Sequence, residues 1–296
     1  MTATHEAPVQ EAAVRPAPEP HPGRLRRVAR SRALHSPAAR AGLGLVALLV
    51  LLGLGAPLLA GQSPLDQSSD ALAGPGGHHL LGTDEFGRDL FSRVLYGIRL
   101  DVLLAFSAVP LGAVTGIALG FACGAHPAVD LVLQRAFDVM LAFTALILGV
   151  TLAAILGPGT GAVFWTVAGV NVPLFGRIAR DAVLSQKGRE YVVAAIALGA
   201  SRRRILLRHI LPNTLDPLIV QSALSLSTAV FIEGAMSFVG IGVTPPDPSL
   251  GALLRTSVNF LGDNAAYAIG PMVVVTGLVI GFNLLADGLN KGLSKR

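Results

Sequence analysis

Few side chains in this chain are equipped for chemistry, and they fall into three groups. Glu233 is an acid set in an otherwise apolar run, STAVFIEGAMSFVGIG. A carboxylate among apolar residues is costly to bury, so it marks either a solute or ion path or an interfacial or interhelical structural contact. Asn171 and Ser225 sit in comparable surroundings and either face a translocation path or bond neighbouring helices. The second group is Asp84, Arg88 and Asp89, within LGTDEFGRDLFSR. Its charges suit a docking surface for a partner protein, or equally the capping and anchoring of the helix that follows. The third is the cationic segment KGREYVVAAIALGASRRRILLRHILPN, residues 187–213. No His, Ser or Glu cluster has a spacing suited to catalysis, so no catalytic residue is assigned. His78 and His79 are adjacent and point different ways, which does not make a metal site. The sole cysteine, Cys123, lies in an apolar run and is read as a small core residue. There is no G-x-x-x-x-G-K-[ST] phosphate loop, and GPGTG at 157–161 lacks the lysine, so any nucleotide is handled by another polypeptide.

The elements that position these groups are membrane helices. Hydrophobic residues make up 52% of the 296, charged residues only 14%, and mean hydropathy is +0.62. Soluble domains carry about 25% charged residues. The net charge of +5 comes from basic residues between apolar spans, which fits orientation in a lipid bilayer rather than nucleic-acid binding. Residues 1–40, rich in Pro, Ala, Glu and Arg, read as a disordered tail. Residues 41–60 carry no charge and eleven Leu or Val, which favours insertion by about 3–6 kcal/mol. The run is longer than the apolar region of a signal peptide, and further spans follow. Residues 61–99 form a polar connection ending in an interfacial helix, with Leu90, Phe91, Val94, Leu95 and Ile98 on one face.

Residues 100–290 form the core. Further spans are expected at about 102–124, 138–156, 162–178, 216–240 and 267–286. Gly112, Gly116, Gly120 and Gly124 repeat every fourth residue and should line one face for close helix packing. Pro173 predicts a kink in the fourth span. Asp216 is the expected N-cap of the fifth, with Pro217 at its first helical position. Residues 291–296 end the chain. The class is all-α and polytopic, with six transmembrane helices.

Six spans put both ends on one side. That side collects nineteen of the 23 Lys and Arg; Arg88, Arg93, Arg99 and Arg255 fall on the other. The positive-inside rule then assigns both termini and the 187–213 loop to the cytoplasm of a plasma (inner) membrane protein. Within that loop Tyr191, Ala194, Ala195 and Leu198 share a helical face. Gly199 suits the left-handed position that ends a helix. Ser201 is placed to cap a second helix, RRRILLRHI, which Pro212 closes. The result is a bent pair of short helices that a soluble partner can grip.

At these residues the sequence resembles a known family. The segment is similar to the coupling loop of ABC-importer permeases, patterned as EAA, three residues, Gly, nine residues, I-x-L-P. Ala194, Ala195, Gly199, Leu211 and Pro212 stand at its spacing; Val193 replaces the Glu and His209 the Ile. Glu190 lies three residues upstream, where it is the candidate for the acidic role. LGTDEFGRDLFSRVLYGIR (81–99), EGAMSFVGIGVTPPDPSLGALL (233–254) and FNLLADGLNKGL (282–293) resemble the dipeptide/oligopeptide/nickel permease family, its second permease in particular. The resemblance implies a type I importer fold and a coupling loop whose ATPase-facing residues include Glu190, Tyr191, Ala194, Ala195, Gly199, Ala200, Ser201, Arg204, Leu211 and Pro212. It implies a second permease, two cytoplasmic ATPase subunits that use ATP and Mg, and an external solute-binding protein. It implies import of di- or oligopeptides or similar small solutes. The alternative from another class is a secondary transporter driven by an ion gradient, which would need mid-membrane acids or broken helices and usually an inverted repeat. No mid-span carboxylate pair and no repeat is evident in the sequence.

Overall fold

Ser36 opens the first helix. Its hydroxyl oxygen accepts the Ala39 N–H at 3.1 Å, and Pro37 fills a first-turn position where its missing N–H costs nothing. The computed structural model describes residues 36–124, 127–187 and 211–294, with positions 189, 192, 197, 199, 201 and 204 between the last two. Helix α1 is Pro37–Leu54, followed after Gly55 by the single turn α2, Ala56–Leu59. The helix therefore starts inside the stretch read as a tail, because Ser-Pro-Ala-Ala is a helix start although it holds no large apolar residue.

After a loop at 60–89 comes α3, Leu90–Cys123, at about 50 Å far longer than a bilayer core. The interfacial helix and the second span are thus one helix. Leu90, Val94, Leu95 and Ile98 are buried along its first turns, as their spacing predicts. The third span departs from expectation. It is a pair, α4 (Pro127–Ala142) and α5 (Ala145–Leu156), bent 91° at a short break. Thr144 makes the break by turning extended and accepting the Ile147 N–H at 3.4 Å, a new N-cap inside an apolar run.

Helix α6, Thr160–Lys187, runs through Pro173 and extends nine residues past the expected span. Helix α7 is Leu211–Val239. Asp216 is therefore inside a helix and not its N-cap, and Pro217 is interior. Pro212 lies within α7, and residues 205–210, the end of the helix it was expected to close, lie outside the described residues. A short α8 (Leu250–Ser257) and α9 (Ala266–Ser294) complete the chain, the latter absorbing most of the expected C-terminal tail.

Among the described residues five helices are long and apolar enough to cross a membrane, and the bent pair α4 and α5, counted as one broken span, brings the number to six. Glycine decides the tightest packing. A Cβ on Gly112, Gly116 or Gly120 would run into the carbonyl oxygens of Ala168, Val172 and Gly176, so α3 and α6 lie backbone to backbone. Residue numbers rise together along that contact, so the two helices are parallel. Gly42 meets Leu285, and Gly281 meets Val46, which pairs α1 and α9 in opposite directions. Residues 36, 124, 187, 211 and 294 consequently share one end of the bundle. The 60–89 loop, α8 and the start of α9 share the other. Leu48, Leu51, Val114, Val132, Ile155, Phe231 and Val273 expose their apolar side chains on the flanks.

Candidate functional site

The segment expected to carry the function hangs between the end of α6 and the start of α7. Gly199 has φ of 75° and is exposed, and nothing lies within 4 Å of where its Cβ would be. The left-handed backbone expected of it is present. Ser201 accepts the Arg204 N–H at 3.4 Å, the capping geometry its position predicts, and Arg204 is exposed. Leu211 is half-buried in the first turn of α7. Glu190, Tyr191, Ala194, Ala195 and Ala200 lie outside the described residues, and of Pro212 only the backbone is described.

Ion pairs brace the helix that enters this segment. Arg180 grips Asp130 with two nitrogens, Nε and Nη2, the second at 2.7 Å. One turn earlier, Arg177 reaches Asp138, which also meets Arg135 at 3.7 Å. These contacts fasten α4 to α6 just before the loop. The helix runs on into the polar stretch after residue 178, where Arg180 has a carboxylate waiting on α4, as Arg177 has just before it. Nothing in the linear sequence marks Asp130 and Asp138 as their partners. Cys123 is buried beside Gln134, as a core residue should be.

At the other end the charged run 84–89 folds inward. Asp84 is fully buried. One oxygen accepts the N–H groups of Phe86 and Arg88, each at 2.9 Å; the other faces Arg88 Nε at 2.6 Å and Arg93 Nε at 3.4 Å. Asp89 caps α3 through the Ser92 N–H at 2.7 Å and pairs with His79 Nδ1 at 2.9 Å. Tyr267 on α9 donates to Glu85 at 2.9 Å, and Arg93 donates to the Pro64 carbonyl at 3.0 Å. Of the two uses weighed for Asp84, Arg88 and Asp89, the geometry matches capping and anchoring. All three side chains are buried and engaged within the chain. Beside them lies a cavity of about 280 Å³, lined by Arg88, Arg93, Tyr267, Pro245 and Pro246 among others.

Asn171, Ser225 and Glu233 of the spans are all buried. Asn171 is buried where α6 meets Gly112 of α3 and donates to the Val167 carbonyl at 2.8 Å, so it packs a helix contact. Ser225 is buried beside Gln221, whose amide nitrogen is 3.2 Å away. A link absent from the sequence expectations joins α7 to α9: Asn283 Nδ2 donates to Ser227 Oγ at 2.8 Å. Glu233 is fully buried and accepts from Ser237 Oγ at 2.7 Å. It does not stand alone. Asp101, on α3 and itself buried, brings its carboxyl within hydrogen-bonding reach of Glu233. The sequence holds no sign of this meeting, because 132 residues separate the two acids and helix rotation alone aims them together. Among the described residues no group of three or more His, Cys, Asp or Glu forms a metal site.

The likeness to known proteins bears on what this framework does. The family model described as binding-protein-dependent transport system inner membrane component matches residues 112–296. The dipeptide transport system permease protein DppC of Alkalihalophilus pseudofirmus is 38% identical over 257 residues, spanning 86% of this chain and 84% of that protein. The di/tripeptide transport system permease protein DppC of Pseudomonas aeruginosa is 36% identical over 305 aligned positions, spanning 100% of this chain and 98% of that protein. Among solved structures, the inward-facing MetNI methionine ABC transporter matches with a TM-score of 0.57 at 19% identity, over 68% of this chain and 96% of that one. At that identity the likeness is one of fold.

Proposed function

The chain belongs to the family of binding-protein-dependent transport system inner membrane components, the permease subunits of ABC importers, and from that premise we propose that it carries di- or oligopeptides across the plasma membrane. The peptide assignment rests on what the relatives transport. Family membership leaves no support for the ion-gradient alternative. The subunit works beside a second permease, with two ATPase subunits that consume ATP and Mg on the cytoplasmic side and a solute-binding protein outside. Both chain ends face the cytoplasm, the side on which nineteen of the 23 basic residues then fall.

The observation that supports this reading best is the placement of the 187–213 segment. It occupies the end of the bundle shared by both described chain ends, opposite the 60–89 loop. A transporter driven by a separate motor needs a lever that makes different contacts in the motor's two states. A segment bent at a left-handed glycine, entered by an ion-pair-braced helix and left by a long span, has the form of such a lever. Translocation itself breaks no covalent bond, so this chain supplies binding surface and motion rather than catalytic groups.

The test is reconstitution of the complete transporter in liposomes, with binding protein on the outward face and ATP on the other. Dipeptide accumulation that requires ATP and the ATPase subunits is the expected result. Accumulation by this chain alone under a proton gradient would overturn the proposal.

A further inference from the structure

Asp101 and Glu233 face each other with too few donors between them. Both are buried, at 1% and 0% exposure. The Leu250 N–H is the one backbone donor within reach of Asp101, and neither oxygen of Asp101 nor Oε2 of Glu233 is held in a well-formed hydrogen bond. Glu233 Oε1 is served by Ser237 Oγ, which in turn accepts the Val243 N–H at 2.9 Å. Ser249, the N-cap of α8, accepts the Ala252 N–H at 3.1 Å and turns its hydroxyl within reach of Glu233. Among the described residues no basic side chain bears on either carboxyl. The charged groups on the surrounding elements are occupied elsewhere: Arg255 of α8 lies over Gly240, Tyr267 of α9 binds Glu85, and Arg93 of α3 faces Asp84. The packing around the pair is tight, since a Cβ on Gly97 would come within 3.2 Å of Leu250 N.

We propose that Asp101 and Glu233 hold a single proton between them, as a carboxylic acid–carboxylate clasp that joins α3, α7 and the start of α8. Two ionised carboxylates in a dry site repel each other and offer no donor, while one proton supplies a donor and removes one of the two charges. A metal ion is the competing occupant, but calcium requires about 6–8 oxygen ligands and magnesium a near-ideal octahedron, which two carboxyls and two serine hydroxyls do not make. The clasp exists only while the proton is present. Its loss leaves two facing anions at the junction of three elements, so the junction weakens as pH rises. On the orientation proposed above, this end of the bundle faces outward, and the proton is exchanged with the external medium. The clasp itself does not depend on the peptide assignment.

The test is infrared spectroscopy of the assembled transporter in nanodiscs, which reads protonation without reference to transport. The wild type is expected to show the C=O stretch of a protonated carboxyl, shifted in D2O, at a pH where exposed acids are ionised. Asp101→Asn and Glu233→Gln should each abolish that band. Asp101→Asn, whose amide donates to Glu233 without a titrating proton, should also remove the fall in melting temperature that the wild type shows as pH rises. No such band in the wild type, or a band that survives both substitutions, overturns the proposal. So does a melting temperature that rises with added calcium or sodium in the wild type and in neither variant. If a variant fails to assemble, the presence or absence of the wild-type band decides.

Discussion

The two ends of the bundle handle charge in opposite ways. At the 60–89 end, Asp84, Arg88, Asp89 and Arg93 are buried and paired, and they bind loop to helix. At the 187–211 end, charge stays near the surface: Arg204 is exposed, and the Arg180–Asp130 pair leaves its side chains 26% and 23% accessible. Burying a charge makes its partner indispensable, since a lone buried ion is expensive. Leaving it exposed makes the pair replaceable and frees the side chain for another protein. The first end is accordingly a rigid cap and the second an adaptable surface.

Removing Asp84 puts that contrast under the greatest load. Asp84→Ala strands two buried guanidinium groups and should cost about 3–5 kcal/mol, read as collapse of the melting temperature of the purified complex. A small change would mean that the cap is not held by its charges. Gly116→Leu comes next, because the added side chain drives α3 off α6 where the carbonyl of Val172 stands in its way; overpacking of this kind costs about 1–3 kcal/mol.

Gly199→Val separates function from stability. The site has open space, so the penalty is backbone strain of about 1–2 kcal/mol. The expected outcome is a protein that still inserts, with ATP hydrolysis no longer coupled to uptake; unimpaired uptake would remove the hinge. The smallest effect belongs to the half-buried pair at the other end. Asp130→Asn should cost about 0.2–1 kcal/mol, and its shift in melting temperature should shrink further in high salt. A loss as large as that of Asp84→Ala would erase the distinction between the two ends.

How much of this was legible depends on whether the signal is local. The Gly112, Gly116, Gly120 and Gly124 row was readable because a period of four falls on one helix face, and the structure places α6 against it. The bend after Ala142 was not, because Ala-Phe-Thr carries neither Pro nor Gly; Thr144 as an N-cap was the one available clue, and apolar flanks concealed it. Asp216-Pro217 imitated a helix start, while the helix already runs through both from Leu211. Glu233 was noticed as an acid out of place. Its partner was not, since Asp101 falls between the polar connection ending at 99 and the span expected from 102.

By itself the sequence determined that this chain is a bundle of membrane helices, in what order they come, which segment carries the coupling pattern and which family it joins. The helices and their order follow from hydropathy, capping and spacing, which act between residues a few positions apart and add along the chain; the coupling pattern and the family follow from likeness to known sequences. Only the tertiary structure decided that α3 and α6 run parallel in contact, that the DEFGRD charges turn inward, and that Asp101 meets Glu233. Each depends on the rotation and register of one helix against another. A quarter-turn of either helix would separate the two acids without changing a residue.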